Sequence, residues 1–182
     1  MSLRVYNTLS RSLEPFEPLV PGRVGVYGCG PTVYRPPHIG NFRTFVFNDV
    51  LHRYLEWKGF DVRFVMNLTD VEDKIIDAAA AEGVRIDAIT APQAEAFFAD
   101  LETLGVRPAD AYPRATEHIA DMVALIERLV ERGHAYVQGG SVYFDIDSFP
   151  GYGRLSRTDL SGARTGAGRA ARAGGIDADE YD

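Results

Sequence analysis

The chain has 182 residues, is 46% hydrophobic and 25% charged, and carries a net charge of −7 with a pI near 5.1. That length suits one domain with a real core, or one domain and a small appendage, and the composition is that of an ordinary globular protein. The acidity excludes a generally basic nucleic-acid coat but not a local basic patch, the single cysteine excludes an intrachain disulfide, and no apolar run approaches membrane-spanning length.

Residues 3–22 carry Pro15, Pro18 and Pro21, which forbid a central strand or a helix interior. They predict an extended arm, a loop packed on the domain edge. The stretch is polar and contains acids, unlike a secretory signal, and with the lone thiol it points to a cytoplasmic protein. Val24 to Tyr27 is the first buried strand. Phe42 to Lys58 is a long helix, with Phe42, Phe45, Val46, Val50, Leu51, Tyr54 and Leu55 on a broad apolar face and Gly59 as its stop. Val62 to Met66 is a second strand. Strand, helix and strand make a βαβ unit with parallel strands.

Thr69 and Glu72 match a capping box for a helix running to Glu82, stopped by Gly83. Thr90 and Gln93 match a second, with Pro92 in the first turn, opening a helix that ends at Gly105. Arg107 to Pro113 is a proline-bounded connection. Thr116 to Arg132 is a further helix with Ile119, Met122, Val123, Ile126, Leu129 and Val130 on one face. Ala135 to Phe144 is a hairpin turning at Gly139-Gly140. Ser161 to Gly175 is rich in Gly, Ala and Arg and predicts flexibility, and an acidic patch ends at Asp182. Two parallel strands are too few for a stable doubly wound sheet, so an incomplete domain is expected.

The chemistry-bearing residues gather around Val24 to Asn41. Gly28-Cys29-Gly30-Pro31 breaks the first strand, and His38-Ile39-Gly40-Asn41 opens the first helix. A glycine-rich break and a helix N-terminus at the C-terminal edge of a sheet suit phosphate binding. His38 and Asn41 have two readings: donors to phosphate oxygens, or a capped helix start with a surface histidine. Cys29 has three: a small buried hydrophobe, a ligand of a zinc site whose partners lie elsewhere, or a nucleophile with His38. Thr69 and Asp70 leave the second strand at the edge where α/β sheets bind ligands. A helix cap and, for Asp70, Glu72 and Asp73, a solvated acidic first turn are the plain alternatives. Phe42, Phe45, Phe47, Tyr54 and Trp57 fit a core better than a base-stacking platform. Arg107, Arg114, Arg128 and Arg132 fit a solvated face.

Taken together, Tyr6-Asn7-Thr8-Leu9, Gly28-Cys29-Gly30-Pro31-Thr32-Val33-Tyr34, His38-Ile39-Gly40-Asn41 and Asn67-Leu68-Thr69-Asp70-Val71-Glu72-Asp73-Lys74 resemble, in order and spacing, the cysteinyl-tRNA synthetases. Pro113 to Ile119, Gly133 to Tyr136 and Tyr152 to Ser156 extend the likeness to about Leu160. The resemblance implies an incomplete class I synthetase Rossmann-type α/β domain. Residues 1–82 would be the N-terminal half of the catalytic domain, 83–160 the start of a helical and hairpin connective insertion, and 161–182 a flexible tail. It implies an enzyme that activates L-cysteine with ATP and Mg2+ and transfers it to tRNA(Cys). Cys29 would be one ligand of a zinc ion that binds the substrate thiolate, with the other ligands outside this chain. Pro31, His38, Gly40 and Asn41 would contact ATP, with His38 and Asn41 assisting catalysis. Gly30, Thr32 and Thr69 would border the cysteine pocket. A cytoplasmic monomer without membrane contact is the expectation, with this chain as the N-terminal part of a longer enzyme and inactive alone. The alternatives are a paralogue that joins cysteine to an aminosugar, a nucleotide-binding paralogue without catalysis, and a capped α/β module with no ligand.

Overall fold

A computed structural model describes residues 3–157; the expected flexible tail at 161–182 lies outside the described residues. The chain divides into two compact units. One is residues 17–131, and the other combines residues 3–16 with residues 132–157.

The 17–131 unit is built on two parallel strands, β3 (Arg23–Gly28) and β4 (Asp61–Met66), joined by helix α1 (Ile39–Trp57). β1 and β2 are numbered from the N-terminal hairpin described below. The register sets Val24 against Val62 and Gly28 against Met66, so both strands end at one edge. Gly59 ends α1 with φ +89, a left-handed position that a glycine occupies without steric cost. Helices α2 (Asp73–Glu82) and α3 (Ile86–Thr103) follow. The core lies between α1, β4 and α3. Phe97 is fully buried and meets Phe42 in a stacked pair at 6.2 Å and Phe45 edge-on at 5.0 Å. Phe64, Met66 and Leu68 complete the floor.

Several expectations are corrected here. α2 starts at Asp73, not at Thr69, and its N-cap is Glu72. Thr69 instead continues the sheet, as shown below. α3 starts at Ile86, so Thr90 is a buried interior residue rather than a cap, and Pro92 sits inside the helix. Burial of Phe97 and Leu101 outweighs the missing proline N–H. The connection after α3 is more than a linker. Phe64 O and Leu68 O accept from Asp110 N (2.8 Å) and Ala115 N (3.0 Å), and Met66 N and Leu68 N donate to Ala111 O (3.1 Å) and Pro113 O (2.9 Å). It forms an irregular third edge beside β4, and there Pro113 needs no donor.

Of the aromatic residues on α1, Phe42 and Phe45 enter the core, while Phe47, Tyr54 and Trp57 are exposed. Asp49 and His52 are buried in their place. Asp49 accepts from Arg107 N at 3.1 Å and from Arg53 Nε at 2.8 Å, tying the helix to the post-α3 segment. A short 3-10 turn (Ala115–His118) leads into α4 (Ile119–Glu131). The apolar stripe of α4 is real, but Met122, Val123 and Ile126 are exposed.

The second unit holds two hairpins. Residues 3–16, expected as a loop, contain β1 (Arg4–Asn7) paired antiparallel with β2 (Ser12–Pro15). Pro15, at the end of β2, is tolerated because a two-stranded ribbon has no central strand; Pro18 and Pro21 lie outside the strands. β5 (Ala135–Gln138) and β6 (Ser141–Phe144) pair as expected. Gly139 and Gly140 both have positive φ (59 and 80), the signature of a two-residue primed turn, and Tyr136 stacks on Tyr143 across the strands at 5.7 Å.

Candidate functional site

β3 and β4 continue past their ends as an isolated parallel bridge between Thr32 and Thr69. Val33 N donates to Thr69 O and Thr69 N to Pro31 O, both at 3.0 Å. This places Gly30, Thr32 and Thr69 side by side at the C-terminal edge of the sheet. Asn67 locks them together. Its Oδ1 accepts from Gly30 N at 3.1 Å, and its Nδ2 donates to Thr69 Oγ1 at 3.2 Å. A Cβ on Gly30 would stand 1.7 Å from the Asn67 carbonyl oxygen, so only glycine fits.

The second wall is the start of α1. His38 is the N-cap, extended at φ −96 and ψ 169. Its Nδ1 accepts from Gly40 N at 3.1 Å, and Asn41 Oδ1 accepts from His38 N at 3.0 Å. These reciprocal bonds satisfy donors that a helix start otherwise leaves open. A Cβ on Gly40 would lie 2.9 Å from the His38 ring, so the ring would have to shift from its capping position. With Nδ1 accepting, the ring proton of the neutral imidazole sits on Nε2, where it can donate outward. Asn41 Nδ2 is likewise left as a donor. The capping reading of His38 and Asn41 therefore holds, and it leaves the donating reading intact.

Between these walls lies a crevice of 370 Å³ lined by Cys29, Gly30, Pro31, Thr32 and Asn41, with Tyr34, Arg35, Thr44 and Phe45. His38, Gly40 and Thr69 frame it without lining it. Cys29 is exposed, not a buried hydrophobe, and its thiol is 3.7 Å from Gly30 O. Among the described residues no group of three or more His, Cys, Asp or Glu is placed to hold a metal ion. Cys29 offers one of the roughly four ligands that zinc takes, so the described residues do not by themselves make a zinc site.

Asp70 is neither a helix cap nor a solvated acid. It is buried and accepts from Thr116 N at 2.9 Å and Thr116 Oγ1 at 2.7 Å, with Arg114 Nη1 at 3.8 Å. It pins the turn before α4 to the end of β4. Sequence reasoning missed both Asn67 and Asp70 as organising residues. Their one local signal is position, immediately after a buried strand at its ligand-binding edge.

A parallel βαβ unit with its crevice between strand ends and a capped helix start defines an α/β domain of the Rossmann type. Residues 15–180 match the family model described as the tRNA synthetases class I (C) catalytic domain, and the chain belongs to that family. It is 47% identical over 180 residues to the cysteine–tRNA ligase of Methanosarcina mazei, covering 99% of this chain and 37% of that protein. It is 48% identical over 168 residues to the cysteine–tRNA ligase of Symbiobacterium thermophilum, covering 92% and 36%. The chain thus spans little more than a third of the length of these relatives. Among solved structures it is similar to the Mycobacterium tuberculosis methionyl-tRNA synthetase in complex with methionyl-adenylate, at TM-score 0.56 and 25% identity over 63% of this chain and 23% of that one.

Proposed function

We propose that this chain supplies the ATP- and cysteine-binding half of the catalytic domain of a cysteine–tRNA ligase. The supporting observation is identity of 47–48% across nearly all of its length to proteins of that name, together with one crevice that joins Cys29, Thr32 and Asn41. The similar methionyl-tRNA synthetase was solved with an aminoacyl-adenylate, which fits an adenylate chemistry at this edge of the sheet.

In the reaction, a cysteine carboxylate oxygen attacks the α-phosphorus of ATP, and pyrophosphate leaves with the electron pair of the broken P–O bond. A terminal hydroxyl of tRNA(Cys) then attacks the cysteinyl carbonyl and AMP leaves. His38 Nε2–H and Asn41 Nδ2–H donate to phosphate oxygens as charge builds on them, and Pro31 and Gly40 let the nucleotide approach the backbone. Gly30, Thr32 and Thr69 border the amino acid. Mg2+ would accompany the phosphates. Cys29 would be the one zinc ligand this chain contributes; zinc, when bound, favours a soft thiolate over a hydroxyl and so selects cysteine over serine.

The test is cysteine-dependent exchange of pyrophosphate into ATP, followed by charging of tRNA(Cys), with the polypeptide purified as its source encodes it. Exchange with cysteine and not serine, and a charged tRNA, are expected. Exchange without tRNA charging, with transfer to an aminosugar, would replace this reading with the paralogue. No ATP binding would leave an α/β module without this function.

A further inference from the structure

We propose that Arg35 and Lys74, held against the ring of Tyr34, form an anion-binding edge of the crevice that takes the polyphosphate of a nucleoside triphosphate. The Cζ of Arg35 lies 5.1 Å from the centroid of the Tyr34 ring, and the Nζ of Lys74 lies 5.8 Å from it. Both are within cation–π range. Tyr34 and Arg35 line the crevice. Arg35 comes from the turn before α1 and Lys74 from the first turn of α2, so only the folded chain brings them to one ring.

Among the described residues, Arg35 and Lys74 are the two cations that share one aromatic ring. Arg23, Arg53, Arg85, Arg107 and Arg114 each have a carboxylate within ion-pair distance. Arg35 and Lys74, like Arg43 and Arg63, have none among the described residues, in a chain whose net charge is −7. Two like charges within about 6 Å of one ring centroid raise the local positive potential, and no carboxylate at ion-pair distance among the described residues offsets it. That potential attracts an anion with several oxygens. A guanidinium suits two phosphate oxygens at once and an ammonium acts as a point charge, so the pair fits a chain of phosphates better than a single carboxylate.

The observations favour a nucleotide over a nucleic-acid backbone. A backbone footprint asks for a stripe of cations, whereas Arg35 is the one Lys or Arg among the residues lining this crevice. The placement rests on the ATP reading above and extends it to residues outside the capped helix start.

The experiment measures binding of ATP, inorganic tripolyphosphate, adenosine and tRNA to the full chain and to Arg35→Gln, Lys74→Gln and Arg35→Lys. Both Gln variants are expected to bind ATP and tripolyphosphate about tenfold more weakly, with a shallower salt dependence and unchanged adenosine affinity. Arg35→Lys is expected to recover part of the loss. Both side chains are exposed, so circular dichroism and Tm should not move. Wild-type ATP affinity in both Gln variants overturns the inference and leaves the ATP reading standing. Tripolyphosphate binding that depends on Arg35 and Lys74, with no preference for ATP, keeps the anion edge and overturns the ATP reading. Loss confined to binding of tRNA assigns the cations to nucleic acid and overturns the inference. A wild-type chain that binds neither ATP nor tripolyphosphate overturns both.

Discussion

The Asn67 carboxamide accepts from the Gly30 backbone N–H at 3.1 Å, while the Asn67 carbonyl oxygen occupies the space where a Gly30 Cβ would stand. One residue after β4 thus fixes the path of the chain after β3, and with it the floor of the crevice. Gly30→Ala cannot be absorbed by a side-chain rotation, because the clash is with backbone. It is expected to destabilise the domain by about 3 kcal/mol, in the range of a strained or overpacked core site, and to abolish pyrophosphate exchange. Urea denaturation checks it; an alanine variant as stable as wild type would refute the close approach.

Asn67→Ala removes both bonds and leaves the half-buried Gly30 N–H unpaired. The expected cost is about 1–2 kcal/mol. Asn67→Asp keeps the acceptor for Gly30 and loses the donor for Thr69, so it should lie between wild type and alanine in stability. Equal stability of the two variants would show that the Gly30 bond contributes nothing.

His38 separates capping from chemistry. Asparagine is a good N-cap, and alanine is a poor one that costs about 1 kcal/mol. His38→Asn should therefore hold near wild-type Tm, while His38→Ala loses stability. Both should lose exchange activity, because neither carries the outward imidazole donor. Full activity in His38→Asn would reduce the histidine to a cap.

Asp70 is buried with its oxygens taken by Thr116. Asp70→Ala should cost about 3 kcal/mol, since it strips a buried charge-assisted network. Thr116→Val, which keeps the backbone donor, should cost about 1 kcal/mol. Hydrogen exchange at Thr116 N–H reads the same bond locally: faster exchange is expected in Asp70→Ala.

The hydrogen bond from Arg107 to Glu56 holds the Glu56 carboxyl below its ordinary value, with coulombic attraction to Arg107 and His52 adding to it. A lowered folded value means the stabilisation is complete above the ordinary carboxylate range and is lost as pH falls through the lowered value. Both side chains are over a third exposed, so the effect is small and screened by salt. Glu56→Gln should flatten the acid limb of the stability curve and leave neutral pH nearly unchanged. An unchanged acid limb would exclude the pair as its source.

The sequence by itself determined the βαβ unit, the stops at Gly59, Gly83 and Gly105, and the primed turn at Gly139-Gly140. Each rests on local physics: apolar periodicity, or a backbone angle that glycine tolerates. It also marked Cys29, Gly30, Thr32, His38, Asn41 and Thr69 by motif. Tertiary structure alone decided the rest. Thr69 and Thr90 match cap patterns, but pairing with Thr32 and burial in α3 outweigh the small energy of a cap. Asp70 reads as a solvated acid until Thr116, 46 residues later, arrives to neutralise the cost of burying it. Phe47, Tyr54 and Trp57 carry core composition, yet their exposure depends on what else packs against α1, and no local pattern encodes that. Arg35 adjoins Tyr34 in the sequence, but only the crossover through α1 and the turn after β4 bring Lys74 to the same ring.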